Sequence, residues 1–177
     1  MVGTTGSGKT TLAKRLATCW RIPHVELDAL HWGPHWTEAP DELFCARVAR
    51  ATSGNDWVVD GNYRQVRGLL WPRVDTVVWL DYSLSVVLRR VTWRTLRRVV
   101  SREELWSGNR ERFWGSALGR NSVILWALHT HRTRRREYAA LFALPRYDHV
   151  LRVRLRSPRV ARRWLAAASR EEPSLAP

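Results

Sequence analysis

The segment Gly3-Thr4-Thr5-Gly6-Ser7-Gly8-Lys9-Thr10 is a complete G-x-x-x-x-G-K-[ST] pattern, followed directly by Thr11-Leu12-Ala13. The spacing has a mechanical reason. Glycines let the backbone curl with its N–H groups turned toward a β-phosphate, and the lysine reaches the β- and γ-phosphates. The next hydroxyl is placed to coordinate Mg²⁺. Gly3, Thr4, Thr5, Gly6, Ser7, Gly8, Lys9, Thr10 and Thr11 are therefore the expected nucleotide contacts. Leu12, Ala13, Leu16 and Ala17 then recur at helical spacing, which predicts a helix whose N-terminal dipole faces the phosphate. The chemistry expected is the binding of a nucleoside triphosphate.

Three further patterns carry chemistry. Trp57-Val58-Val59-Asp60 is an apolar run ending in an acid, the place from which a carboxylate holds a magnesium water shell beside Thr10. Gly61 then permits a sharp turn, which brings Asn62, Tyr63 and Arg64 beside bound substrate. In Leu27-Asp28-Ala29-Leu30-His31-Trp32, the acid falls just past a strand, at the crevice where α/β proteins bind ligands. Asp28 is expected to orient an acceptor hydroxyl, with His31 and Trp32 among the acceptor contacts; Trp36 reads as a core residue. The third pattern is the run Leu88 to Arg98, where Arg90, Arg94 and Arg97 or Arg98 share one helical face. Like charges at that spacing repel unless an anion compensates them, and an arginine at a triphosphate stabilises charge in phosphoryl transfer. Arg132, Arg134, Arg135 and Arg136 form a second cluster.

The elements that must position these residues alternate strand and helix, which predicts a parallel sheet covered on both faces. A strand stub ends at Val2, and helices are expected over about 9–20, 41–51, 83–100, 122–144 and 157–168. Strands are expected at 22–27, 56–60, 75–80 and 149–153, with a turn-rich segment at 28–40 and an irregular one at 101–121. Ser157-Pro158 supplies an N-cap and a first-turn proline. The expected organisation is one domain over residues 1–170, with a lid-like arginine-rich insertion at about 89–136 and a frayed tail at 171–177. A phosphate-binding loop ordinarily follows four to six apolar strand residues, whereas only Met1 and Val2 precede Gly3. The expectation is a start codon assigned several residues late, leaving the first strand nearly missing.

Charge is distributed unevenly within a net +14. Residues 1–83 hold 9 basic and 9 acidic side chains, while residues 84–165 hold 20 arginines against 5 acids. Arginine pairs with phosphate in a bidentate fork, so the second half suits polyanions. Cys19 and Cys45 lack a C-x-x-C partner and read as buried reduced thiols, and the six histidines are too scattered for a zinc site. No apolar run approaches a membrane span and no signal segment opens the chain, so a cytoplasmic location is expected.

Taken together, Thr10-Thr11-Leu12-Ala13, Leu27 to Trp32 and Trp57 to Tyr63 resemble the topology-modulation-protein branch of the adenylate kinase-like P-loop proteins. The resemblance covers residues 1–165 and is strongest before residue 82. It implies an α/β, three-layer P-loop NTPase fold with a parallel five-stranded sheet, as in nucleoside monophosphate kinases. Asp60 to Arg64 resembles the Asp-Gly-Phe-Pro-Arg turn of adenylate kinases, which implies magnesium-shell contact for Asp60 and phosphate contact for Arg64. Arg90-x-x-x-Arg94 resembles the paired arginines that begin the kinase lid, with Arg89 an equal match to the first. Asn62-Tyr63 stands in place of Phe-Pro, and Leu27 to Leu30 replaces the monophosphate-binding Thr-Gly-Asp segment, so a monophosphate acceptor does not follow. The expected function is an ATP- and Mg²⁺-dependent kinase acting on a small molecule or nucleotide, with Lys9, Asp28, Arg90 and Arg94 catalytic. The rival expectation is a nucleotide-gated nucleic-acid-binding or regulatory ATPase.

Overall fold

The computed structural model describes residues 1–101, 104–109 and 123–170. Most of the irregular segment expected at 101–121, and all of the tail expected at 171–177, lie outside the described residues. The chain is α/β. Its strands among the described residues are β1 (Val2–Gly3), β2 (His24–Glu26), β3 (Val58–Asp60), β4 (Thr76–Leu80) and β5 (Leu151–Leu155). Its helices among the described residues are α1 (Lys9–Trp20), α2 (Leu27–His31), α3 (Asp41–Ala51), α4 (Arg67–Leu70), α5 (Leu84–Ser101), α6 (Val123–Phe142) and α7 (Pro158–Ala168). None of them is long and apolar enough to cross a membrane.

All strand pairing is parallel. One sheet has the order β1-β4-β5, with Val2 opposite Trp79 and Thr76 opposite Leu151; the second pairs β2 with β3, with Glu26 opposite Asp60. Two backbone bonds run from β3 to Met1: the Met1 nitrogen donates to Val59 O, and Gly61 N–H donates to Met1 O at 3.3 Å.

Helices cover both faces because strand side chains alternate. Val77 and Trp79 of β4 pack with Phe44 and Val48 of α3 and Tyr138 of α6. Val78 and Leu80 pack on the other side with Leu12 of α1, Val87 and Val91 of α5 and Ala161 of α7. Helix α1 begins at Lys9 and ends where Arg21 takes a left-handed conformation. The Ser157 hydroxyl accepts from Val160 N–H and Pro158 opens the first turn of α7, the cap that its sequence specifies.

Four details depart from expectation. The turn-rich segment after β2 contains α2, a single helical turn that starts directly from the strand. Trp36 is 38% exposed, because Pro34–Trp36 forms a tight 3₁₀ turn that carries its ring away from the core. Cys19 is exposed and Cys45 half-buried, so neither thiol is a core residue, although both are free. On α5, Leu84, Val87, Leu88, Val91 and Leu96 fall near helical periodicity as a core-facing stripe would, yet only Val87 and Val91 of these are buried, and Leu96 is 42% exposed, since the last turns of the helix extend past the sheet.

Candidate nucleotide and acceptor site

The loop between β1 and α1 is compact and seated on its neighbours. Gly6 has φ +75°, and a Cβ there would lie 2.8 Å from the Val91 Cβ, so only glycine lets the loop rest on α5. Gly8 caps α1 without a side-chain acceptor, leaving first-turn N–H groups for an anion. Ser7 is fully buried and its Oγ has no hydrogen-bond partner. The Lys9 ammonium folds back over its own loop and donates to Gly3 O at 3.0 Å and Thr4 O at 3.2 Å. Burial lowers the Lys9 pKa below the ordinary lysine value. Asp28 and Asp60 pull it up, and Arg94 and Arg134 push it further down. Five charged groups from five different segments therefore act on one another across this cleft.

Asp60, 3% exposed, closes β3 against the loop. The Thr10 hydroxyl donates to its Oδ2 at 2.6 Å, and His24 Nε2 lies 2.7 Å from its Oδ1. Burial alone would raise this carboxyl. The His24 and Thr10 hydrogen bonds and the Lys9 charge outweigh it, and the net shift is downward. A hydroxyl beside an ionised carboxylate is a hard-oxygen pair suited to Mg²⁺, with phosphate oxygens and water completing the shell. Among the described residues, no group of three or more His, Cys, Asp or Glu side chains could hold a metal.

Gly61 has φ +146°, and a Cβ there would meet the Leu27 Cβ at 2.7 Å; this turn delivers Asn62 and Tyr63. The Asn62 side chain mimics a paired strand. Its amide donates to Gly3 O, and its Oδ1 accepts from Gly3 N–H at 3.2 Å and from Tyr138 Oη–H at 2.8 Å. Tyr63 Oη–H donates to Asp28 Oδ1 at 2.6 Å. Burial, the Asp28 charge and the hydrogen bond to it raise the Tyr63 phenol well above its usual range, so it stays protonated as the donor.

The arginines divide by partner. Arg90 Nη1 donates to Ser7 O at 2.7 Å, placing its guanidinium on the glycine-rich loop next to Gly8. Arg94 lies in electrostatic reach of Lys9. Arg64, exposed on its turn, donates instead to Glu137 at 2.9 Å, as does Arg67, with Arg134 at 3.1 Å on the other oxygen. Arg135 and Arg154 both pair with the buried Asp81. Of the other expected contacts, Thr4 is buried and Thr5 half-buried in the loop, and Thr11 is exposed on α1. His31 is 4% exposed, packed against Trp32, Phe44 and Tyr63 with ring centroids 4.6–4.9 Å apart. A groove of about 290 Å³ lined by Trp93, Leu96, Arg97, Val100 and Ser101 contains none of these residues.

Sequence reasoning overlooked His24, Tyr138 and Glu137. Glu137 carries a readable signal as the single acid of α6, directly after three arginines. His24 and Tyr138 carry none, because their partners lie 36 and 76 residues away. Comparison with protein-family models and with curated proteins returns no match for this chain.

Proposed function

We propose that the chain is an ATP-binding P-loop phosphotransferase that moves the γ-phosphoryl group to a small-molecule or nucleotide acceptor. The observation that carries this reading is the convergence of Lys9, Thr10 and Asp60 at the start of α1, with Arg90 on the same loop. The strands support it too: β1-β4-β5 and β2-β3 are parallel sets, and Met1, just before β1, bonds the backbone of β3, as a phosphate loop leaving the middle of one parallel sheet would require.

The roles follow from position. Loop N–H groups and Lys9 hold the phosphates once Lys9 exchanges the Gly3 and Thr4 carbonyls for phosphate oxygens. Thr10 and Asp60 would hold magnesium brought by the nucleotide, which neutralises phosphate charge and orients the γ-phosphate. Asp28, held by Tyr63, orients the acceptor hydroxyl and takes its proton as the oxygen attacks phosphorus. The bond from phosphorus to the β,γ-bridging oxygen breaks, and ADP leaves with that electron pair. Arg90 and Arg94 offset the negative charge of the transferring group.

Phosphorus NMR of Mg·ATP with the protein and pooled acceptors (nucleoside monophosphates, sugars, hydroxy acids) tests the reading. A new phosphoester resonance with ADP, lost in Lys9→Ala, is the expected result. A folded protein that yields only free phosphate, or nothing, overturns it.

One observation favours a second reading, a nucleotide-gated nucleic-acid-binding protein: Trp93 is 71% exposed on α5, with Arg89 and Arg97 exposed one turn to either side. Indole stacking and arginine contacts to phosphate are the means by which single strands are held. A steep loss of oligonucleotide binding with salt, altered by ATP, would support it; salt-independent or absent binding removes it.

A further inference from the structure

The acceptor side of the cleft has a chemistry of its own. Trp32, Trp36 and Trp106 stand edge to face, with centroids 5.7 and 6.3 Å apart. The segment 104–109 is fastened to the segment after α2. Ser107 Oγ–H donates to Trp32 O at 2.9 Å and the Asn109 amide to Gly33 O at 2.8 Å, while Asn109 Oδ1 accepts from Trp36 N–H at 3.0 Å. Asn109 is 5% exposed, so its two bonds are partly shielded from water and the three indoles are held as a wall.

Carboxylates stand at the foot of that wall. Asp28 is oriented by Tyr63, Glu26 faces Asp60 across the β2–β3 ladder with its carboxyl near the Trp106 ring, and Glu38 lies 3.9 Å from His31 Nε2. The other ring nitrogen of the buried His31, Nδ1, has no hydrogen-bond partner. Among the described residues, four arginines are committed elsewhere: Arg47 donates to Leu30 O at 3.0 Å, and Arg64, Arg67 and Arg134 to Glu137. An anionic acceptor would meet the carboxylates of Glu26, Asp28 and Glu38, a repulsive arrangement at short range. Indole faces attract cations and the C–H faces of saturated rings, and carboxylates accept from both hydroxyls and ammonium groups.

We propose that this wall receives a hydroxylated ring bearing an amine, of the amino-sugar or aminocyclitol class, rather than a nucleoside monophosphate. The inference rests on the phosphotransferase reading for its reaction but not for its binding. A ring hydroxyl near Asp28 loses its proton to that carboxylate as its oxygen bonds to the γ-phosphorus, and ADP departs. Glu26 and the indoles hold the ammonium-bearing part of the ring.

Tryptophan fluorescence of the full chain, titrated with kanamycin and separately with AMP in the absence of ATP, tests binding alone. The expected result is saturable quenching by kanamycin, weakened about tenfold in Glu26→Gln and in Trp36→Ala. Trp36 is partly exposed, so its removal leaves the core intact, and the melting temperature of each variant checks this. AMP quenching that matches or exceeds kanamycin, no kanamycin quenching, or equal quenching in both folded variants would overturn the proposal. Mg·ATP titration by calorimetry in parallel separates its failure from that of the kinase reading: ATP binding without kanamycin binding sinks only the acceptor class.

Discussion

The Thr10 hydroxyl lies 2.6 Å from the Asp60 carboxylate, although 50 residues of chain separate them. This one contact ties the first turn of α1 to the end of β3 and presents two hard oxygens side by side. Asp60→Asn should therefore lower affinity for Mg·ATP at least about tenfold while leaving metal-free ATP binding little changed. Calorimetry with and without magnesium reads the difference; equal losses under both conditions would show that Asp60 serves only the fold.

Asn62 carries the load of a strand neighbour for Gly3. Asn62→Ala removes both bonds to the loop backbone and leaves the Tyr138 hydroxyl, on a residue only 1% exposed, without its acceptor. Burial already pushes the Tyr138 phenol up to about 12, against the downward pull of Arg134, Arg67 and Arg64. The loss should be about 1–3 kcal/mol in urea unfolding, and the loop amides should exchange faster with deuterium.

Glu137 holds three arginines and accounts for a distinct pH dependence. Burial raises its pKa, but Arg64, Arg67 and Arg134 more than reverse this, so the folded value lies below the unfolded one. Asp60 shifts the same way. Stability from both is present above the unfolded carboxyl values and is lost as pH falls through the folded values. Glu137→Gln should flatten the decline below pH 4.5 in a melting-temperature profile.

Lys9 acts at the alkaline end with the opposite cause. Its folded pKa lies below the ordinary 10.5, so between the two values the unfolded chain binds more protons and stability rises with pH. Lys9→Met should remove this rise and be at least as stable as the parent at pH 7, while losing nucleotide binding. A parent curve that is flat as pH approaches 10.5 would contradict the assignment.

At Gly61, φ of +146° and a 2.7 Å approach to the Leu27 Cβ leave no room for a side chain. Gly61→Ala should cost about 1–3 kcal/mol and displace Asp60 and Tyr63 together, visible as parallel losses of thermal stability and Mg·ATP affinity.

Local pattern was sufficient for much of this protein. The bounds of α1 and α3, the cap of α7 and the compact glycine-rich loop follow from glycine, proline and helical periodicity, all of which act over a few residues. Asp60 at the end of β3 and Asp28 just past β2 were legible because a parallel sheet puts the carboxyl ends of its strands at one edge. Partner choice was not legible. Arg64 bonds Glu137 and Asn62 bonds Gly3, although both residues stand on the same five-residue turn. Trp36, which reads as core, is partly exposed because a 3₁₀ turn and Asn109, 73 residues away, hold its backbone. Sequence thus determined which groups exist and at which strand ends they stand. Only tertiary packing decided which charges cancel, because burial strengthens electrostatic interactions and those contacts join segments far apart in the chain.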